Sequence, residues 1–472
     1  MRLYIRFVIA LSFASVVFAQ NPKSDMAALS PQLKSELALI RDTALRDDYA
    51  YQQVAHLTEN IGPRPAGSAQ AQAAVNYVAG EMRKLGLDVH LEEVMVRRWE
   101  RGAETAELVE WPGQSAGTTQ KIVVTALGGN APTPLQGITG EVVVVENFAQ
   151  LQALGRDKVA GRIVLFNFPF DKQKAASGQA GEAYGEGVAY RGGGATAAAA
   201  LGAIASLVRS VGGADYRLPH TGWSQMAGIP AGAVTSEDAD LIAHLAAQGK
   251  VRLHLVLTSQ TGPEVKSYNV IADLKGSEHT EQIVVVSGHL DSWDLGTGAI
   301  DDASGVAVAM ETAQILQLLH LHPKRTLRVI AWMDEENGGR GHDAYAAAHA
   351  QEMANHIAAI ESDLGAGHPL GFETKVTTTA LAQLRPVAEM LQAFGANLLR
   401  PIDSSPGADI APLGQFGVPL LGIMQDNRTY FNYHHTAADT LDKIGPPELR
   451  ENAAAMAVMG YALADMPDPI AR

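Results

Sequence analysis

The stretch GHLDSWDLGTGAIDDASG, residues 288–305, lies between the apolar run IVVV (283–286) and the apolar helical pattern VAVAMETAQILQLL (306–319). It contains four aspartates and one histidine where the chain leaves a predicted buried strand. In open α/β sheets, sites form at the carboxyl ends of the strands. This concentration of charge therefore predicts a functional site at the edge of a sheet.

Strand and helix patterns alternate around this stretch, from residue 265 to the end of the chain. Strands are predicted at SYNVIADL (267–274), EQIVVVSGH (281–289), TLRVIAWM (326–333), HIAAIE (356–361) and PLLGIMQ (419–425). Helices are predicted over much of 33–90 and over 305–319, 342–354, 380–394 and 446–464. Such alternation predicts an α/β sandwich with a mixed or mainly parallel sheet.

Residues 97–264 differ in sequence pattern from the rest of the chain. Short β-rich runs such as GEVVVVEN (140–147) and GRIVLFNFP (161–169) are separated by Gly and Pro turns. The segment GGGATAAAALGAIASLVRS (192–210) is rich in Ala and Gly and is interpreted as a buried helix. We therefore predict three parts of the chain: a first part, 20–96, a β-rich part, 97–264, and a main part, 265–472.

Composition excludes several classes of partner and site. A formal net charge of −15 argues against nucleic acid or an anionic membrane surface as the main partner. The chain has no cysteine, so any metal must be bound by His, Asp and Glu. Residues 1–19 combine two arginines with a short apolar run and end in VFA, which predicts a cleaved signal peptide and a secreted or periplasmic protein.

Four predicted strand ends carry residues that bind metals. Their side chains include His289, Asp291 and Asp301, then Asp334, Glu335 and Glu336, then Asp363, then His434 and His435. At an effective dielectric near 20, two carboxylates about 4 Å apart repel by roughly 4 kcal/mol. Two neutral imidazoles and three carboxylates, one of them bridging, would relieve this repulsion by binding two divalent ions. The all-N/O donor set suits Zn²⁺.

The set GHLDSW…AIDDASG, DEENGG, ESDLG and HHTAADT resembles the zinc-dependent exopeptidases that include aminopeptidase Y and glutamate carboxypeptidase. NIGPRPAGS (60–68) and PHTG (219–222) look like the branch of the plasma glutamate carboxypeptidases. The resemblance implies a three-layer α/β sandwich with a mixed sheet. It also implies that 97–264 is an inserted β-rich protease-associated domain.

Matched motif by motif, the resemblance implies roles for seven residues. His289 and Asp363 would bind one zinc, Glu336 and His435 the other, and Asp301 would bridge the two ions. Glu335 would be the general base that passes a proton from the attacking water to the leaving amine. Asp291 would orient His289. The resemblance also implies a cis peptide bond between Asp301 and Asp302.

The residues that meet the substrate are less determined. The family's glutamate carboxypeptidase has a tyrosine just before the second zinc's histidine, whereas this chain has His434. His434 is therefore a candidate oxyanion donor, with Tyr430 or a packing role for His434 as the alternatives.

Five other polar residues carry both an ordinary and a functional interpretation. His220 could line the substrate pocket or be structural. Asp409 could cap a helix or face substrate. His342, His349 and His356 recur every seven residues, and a solvated helix face is a better interpretation than a metal site.

The sequence thus predicts a dizinc exopeptidase acting on dipeptides or short peptides. An aminopeptidase on longer peptides and a non-catalytic receptor or binding module are the alternatives. A single-zinc acyl transferase of the glutaminyl cyclase kind is a third, although it lacks the inserted domain. Related enzymes form dimers, so the resemblance also implies a homodimer.

Overall fold

The computed structural model describes residues 29–472. The predicted signal peptide, 1–19, lies outside the described residues. Within the described chain, no helix has both the length and the apolar character needed to cross a membrane.

Two eight-stranded sheets organise the protein. Its strands are β1 (Asp88–Glu100), β2 (Glu104–Glu110), β3 (Gln120–Ile122), β4 (Val124–Ala126), β5 (Ile138–Val145), β6 (Ile163–Phe166), β7 (Ala205–Arg209), β8 (Ala231–Val234), β9 (Arg252–Leu257), β10 (Gln260–Leu274), β11 (His279–His289), β12 (Arg325–Trp332), β13 (His356–Glu361), β14 (Pro369–Lys375), β15 (Leu398–Pro401) and β16 (Leu420–Gln425). Its α-helices are α1 (Pro31–Ala44), α2 (Tyr49–Ala55), α3 (Ala69–Lys84), α4 (Phe148–Val159), α5 (Lys172–Lys174), α6 (Ala180–Ala200), α7 (Ser236–Ala246), α8 (Ser304–Leu318), α9 (Arg340–Ala348), α10 (Thr378–Ala388), α11 (Ala411–Gly414) and α12 (Pro446–Asp465).

The first sheet has the order β1-β10-β12-β11-β13-β16-β14-β15. Its central strands β12, β11, β13 and β16 are parallel neighbours, whereas β1, β10 and β14 pair antiparallel. The carboxyl ends of the four central strands therefore meet at one edge of the sheet. The predicted mixed sheet is confirmed.

Helices cover both faces of this sheet. Successive residues of a strand point to opposite faces, so Val284 and Val286 of β11 join the core shared with α8 and α12. Ile283 and Val285 point the other way and meet Tyr345 of α9. Helix α8 is buried around most of its surface because it lies between the sheet and α12.

The second sheet is built from residues 104–257, in the order β3-β2-β9-β5-β6-β7-β8-β4. The strands β1 and β10 that precede and follow it belong to the first sheet and pair antiparallel with each other. We call residues 101–259, which lie between β1 and β10 and supply the second sheet, the inserted unit.

Several predicted elements differ from the structure. The Ala/Gly-rich segment 192–210 is helical only to Ala200 and then forms β7, because its second half supplies the apolar run of a buried strand. The helix predicted over 342–354 covers Arg340–Ala348. The helix predicted over 380–394 ends at Ala388 and continues as a 3₁₀ turn.

The prediction of one solvated face for three histidines is wrong. His356 begins β13 and is fully buried, with Nε2 2.8 Å from the Tyr345 hydroxyl. His349 is half-buried and lies 2.8 Å from a Glu92 carboxylate oxygen. A seven-residue spacing indicates one face only while the helix lasts, and α9 ends before His349.

Candidate active site

The metal-type residues follow the four parallel strands at the edge where those strands end. His289 is the last residue of β11, and Asp363 follows β13 by two residues. Glu335 and Glu336 follow β12, and the loop after β16 carries His435. The sheet thus brings together side chains that lie far apart in the sequence.

Asp301 lies at the centre of this cluster with its two carboxylate oxygens facing different partners. Oδ1 is 3.0 Å from Nε2 of His289, which is also 3.2 Å from an Asp363 oxygen. Oδ2 is 3.1 Å from Nε2 of His435, which is 2.9 Å from a Glu336 oxygen. One carboxylate therefore joins two separate groups of potential ligands.

The donor atoms fit metal ions better than they fit each other. Oδ2 of Asp301 and Oε1 of Glu336 are buried without a hydrogen-bond partner among the described residues, although buried polar atoms are normally paired. In a tetrahedral zinc site with bonds of about 2.0–2.1 Å, neighbouring ligand atoms lie roughly 3.3 Å apart. The spacings around Asp301 are close to that value, and the donor set is one that zinc accepts.

Glu335 lines the cavity in front of this cluster. Burial raises its pKa well above the ordinary value of 4.5, and the nearby carboxylates of Asp363 and Glu336 raise it further. Burial, together with the nearby Asp301 carboxylate, also raises the pKa of Asp363. The site therefore concentrates more negative charge than its own histidines can balance.

Asp291 supports the site in a different way from the one expected. Its carboxylate is 3.9 Å from Nδ1 of His289, too far for a hydrogen bond, and its backbone carbonyl is the group that lies 3.0 Å from that nitrogen. The carboxylate instead accepts the backbone N–H groups of Asp334 at 2.8 Å and Glu335 at 3.2 Å. Asp291 thus connects the β11 end with the loop that carries Glu335 and Glu336.

The carboxylate of Asp302 accepts hydrogen bonds from backbone N–H groups. It follows Asp301 through a cis peptide bond, as the resemblance implied. Although Asp302 lies near His289 and Asp363, its oxygens accept the N–H of His289 at 3.0 Å and of Gly305 at 2.7 Å. These bonds favour Asp301 over Asp302 as the metal-facing carboxylate.

The candidate substrate residues divide into two groups. His434 lies at the cavity, with Nε2 3.3 Å from Oδ2 of Asp301 and its ring stacked on His435 at 3.6 Å. Its Nδ1 is 3.0 Å from Nε2 of His220, a buried residue of the inserted unit. Tyr430 also lines the cavity.

Asp409, in contrast, is fully buried and does not line the cavity. One of its carboxylate oxygens is 2.9 Å from Nδ1 of His342. A direct substrate contact is therefore not supported for Asp409.

The cavity has a volume of about 650 Å³, and the inserted unit forms one wall of it. Sequence reasoning missed three residues of that wall, Tyr184, Arg191 and Trp223. The signal for Arg191 was present, because it is a lone charge beside a run of Gly and Ala in YRGGGATAAAA. No comparable signal marked Tyr184 or Trp223.

Arg191 is a buried cation whose hydrogen bonding is incomplete. It is 8% exposed, donates to the Tyr184 hydroxyl at 2.6 Å, and lies 3.4 Å from Nδ1 of His435. Its Nε has no hydrogen-bond partner among residues 29–472. A buried charge without a matched partner is costly, so an anion entering the cavity would find a favourable position here.

Comparisons with known proteins agree with this geometry. Residues 269–459 match the family model described as peptidase family M28. Carboxypeptidase Q of Xenopus laevis is 37% identical over 90% of this chain and 87% of its own length. The crystal structure of a peptidase M28 precursor from Shewanella amazonensis superposes with a TM-score of 0.87 at 35% identity, covering 93% of this chain and 98% of that one.

A zinc aminopeptidase from Bacillus subtilis shares the fold, with a TM-score of 0.65 at 22% identity, covering 90% of this chain and 97% of that one. The resemblance found in the sequence motifs is therefore confirmed. The chain belongs to peptidase family M28 and is a zinc metallopeptidase.

Proposed function

We propose that this chain is a dizinc exopeptidase that hydrolyses dipeptides and short peptides with a free carboxyl terminus. The observation that carries the proposal is the pair of ligand groups on either side of Asp301, whose two oxygens face His289 and His435. A single metal ion would leave one of these groups unneutralised.

His289, Asp363 and Asp301 would hold one zinc ion, and His435, Glu336 and Asp301 the other. When bound, two zinc ions at such a site polarise a peptide carbonyl and increase the acidity of water. Glu335, at the cavity beside these ligands, would accept a proton from the attacking water on its carboxylate and deliver it to the leaving amine. His434 would donate a hydrogen bond to the carbonyl oxygen of the scissile peptide.

Arg191 supports a preference for free carboxyl termini. Guanidinium groups bind carboxylates with two parallel hydrogen bonds, and Arg191 lines the cavity with a guanidinium whose hydrogen bonding is incomplete. A substrate carboxylate held there, next to the His435 side of the metal cluster, would leave room for only a short peptide between anchor and metals. The name of the Xenopus relative, carboxypeptidase Q, is consistent with this preference.

The inserted unit, residues 101–259, would be a protease-associated domain that completes the active-site cavity. Its β-rich sheet and its contribution of Tyr184, Arg191 and Trp223 to the cavity support this assignment. The signal-peptide pattern in residues 1–19 supports secretion or a periplasmic location.

The experiment combines metal analysis with Glu335→Gln, using Glu281→Gln at an exposed position as the matched control. The wild type is expected to bind two zinc ions, to hydrolyse dipeptides, to lose activity with a chelator and to regain it with zinc. Glu335→Gln is expected to retain two ions and to lose turnover by at least about 100-fold. Normal turnover in Glu335→Gln would exclude Glu335 as the base, and a wild type without zinc would support a non-catalytic module.

Activity of the wild type on aminoacyl anilides but not on dipeptides would identify an aminopeptidase instead. N-blocked peptides provide the complementary probe, since an aminopeptidase requires a free amine and the proposed enzyme requires a free carboxylate.

A further inference from the structure

The turn at residues 296–300 carries Asp301 into the active site and is held from two sides by buried charged side chains. One is Arg64, from the NIGPRPAGS motif of the first part of the chain, and the other is Asp439, from HHTAADT. Neither residue lines the cavity of about 650 Å³, and Asp439 borders a much smaller cavity next to Asp301, Glu336 and His435.

Arg64 is fully buried and uses its guanidinium almost entirely on backbone carbonyls. It donates to the carbonyl of Thr297 at 2.7 Å, of Gly298 at 2.9 Å and of Leu290 at 2.9 Å. Its own backbone N–H donates to the Ser292 hydroxyl at 3.0 Å. Arg64 thereby fixes the start of the loop, just after His289, to the turn just before Asp301.

Asp439 accepts hydrogen bonds from N–H groups of the same turn, whereas Arg64 donates to its carbonyls. Its Oδ1 accepts the N–H groups of Ala299 and Ile300, both at 2.8 Å. Its backbone carbonyl accepts the N–H of Thr297 at 2.7 Å. Because Asp439 follows His435 by four residues, these bonds fix the turn to the loop of the second ligand group.

The turn is closely packed between these two side chains. Gly298 has φ +63°, and a Cβ there would lie 2.4 Å from Cβ of Ser292 and 2.8 Å from a terminal nitrogen of Arg64. A Cβ on Gly296 would lie 2.6 Å from the carbonyl oxygen of Asp439. The turn is therefore packed against both partners as well as bonded to them.

We infer that Arg64 and Asp439 are positioning residues that set where Asp301 stands between His289 and His435, and so determine how tightly this chain binds its metal ions. The inference rests on the dizinc site proposed above. Neither residue touches metal or substrate; each acts through the backbone of residues 297–300. Residues that orient metal ligands typically affect metal affinity by about 10- to 100-fold.

Arg64→Met tests the inference, with Arg325→Met as the matched control. Arg325 is also buried and donates to the carbonyl of Met466 at 2.6 Å and of Pro467 at 3.2 Å. It lies at the start of β12, at the opposite end of the sheet from the metal site. Both substitutions remove a buried guanidinium, but only the first removes support for Asp301.

The measurements are zinc affinity, by competition with a chromophoric chelator, and the visible absorption spectrum of the Co²⁺-substituted protein. Arg64→Met is expected to weaken zinc binding by about 10- to 100-fold and to change the Co²⁺ spectrum, while Arg325→Met changes neither. Equal zinc affinity and identical spectra in the two variants would overturn the inference.

Asp439 provides a second test if Arg64→Met does not fold. Asp439→Asn keeps an oxygen that can accept both N–H groups, whereas Asp439→Ala removes it. Zinc affinity and the Co²⁺ spectrum are expected to stay near wild type in Asp439→Asn and to change in Asp439→Ala. The inference fails if both variants resemble wild type or if both lose zinc equally.

The wild-type protein separates this inference from the proposed function. A wild type that binds no zinc would refute the dizinc proposal itself. A wild type with two tightly bound ions, together with Arg64 and Asp439 variants that bind them equally well, would refute only the positioning role.

Discussion

Replacing Arg191 with Met should remove selectivity for a free carboxylate without removing the catalytic centre. Arg191 is 8% exposed, so an ion pair with substrate would be well shielded from solvent. At about 4 Å and an effective dielectric near 20, such a pair attracts by roughly 4 kcal/mol. Hydrogen bonds to charged groups contribute about 1.5–3 kcal/mol net. A loss of about 2–4 kcal/mol corresponds to roughly 30- to 1000-fold in kcat/KM.

The assay compares a dipeptide with the corresponding dipeptide amide, in the wild type and in Arg191→Met. The wild type is expected to prefer the free acid, and the variant to hydrolyse both substrates at the low rate that the wild type shows on the amide. Arg209→Met is the matched control, because Arg209 belongs to the same inserted unit and binds Asn167 and Asp240, outside the cavity.

The reasoning is refuted if Arg191→Met loses equal activity on the acid and on the amide. That result would mean that Arg191 supports the site, through Tyr184 or His435, and does not select the substrate. Zinc content measured in the same samples distinguishes a disturbed metal site from a lost anchor.

Two further predictions concern buried groups. Burial, with Asp47 and Asp48, raises the pKa of Glu311 from 4.5 to about 8, so its stabilising protonated form is fully present below about pH 4.5 and is lost as pH rises through 8. Between pH 5 and 9, the fall in unfolding free energy should therefore be smaller in Glu311→Gln than in the wild type by on the order of 4 kcal/mol. Urea titrations at each pH measure this free energy, with exposed Glu107→Gln as the control. A pH dependence in Glu311→Gln equal to that of the control contradicts the prediction. His434→Phe should lower kcat by about 100-fold with zinc retained. A comparable loss in Tyr430→Phe, with no loss in His434→Phe, would assign the oxyanion donor to Tyr430.

The cluster around Asp301 was predictable because each candidate ligand lies next to a strand whose apolar run is visible in the sequence. Once β11, β12, β13 and β16 are parallel neighbours, their carboxyl ends must meet, and the residues that follow them must converge. The zinc peptidase assignment came from the resemblance of these short segments to a known family, and the absence of cysteine limited the possible ligands to His, Asp and Glu.

The wall of the cavity and the support of the ligands were not predictable in the same way. Arg191 reaches the site because the inserted unit packs back onto the loop of Phe431 and His435, a tertiary arrangement without local sequence pattern. Arg64 bonds residues more than 220 positions away, as its contacts with Leu290 and Gly298 show. His356 was misassigned because periodicity does not show where a helix ends.

The inserted unit is hydrogen-bonded to the loop that carries Phe431 and His435. The Thr221 N–H donates to the His435 carbonyl at 3.0 Å, and the Gly213 N–H donates to the Phe431 carbonyl at 3.1 Å. Just after β1, the Arg101 guanidinium forms an ion pair of 2.6 Å with Asp294, which lies between His289 and Asp301 in the sequence. Residues of the inserted unit therefore fix the loops that carry the candidate metal ligands. Arg191 of the inserted unit lies 3.4 Å from Nδ1 of His435. The substrate preference and the zinc site that we propose for these two residues would therefore depend on a single interface.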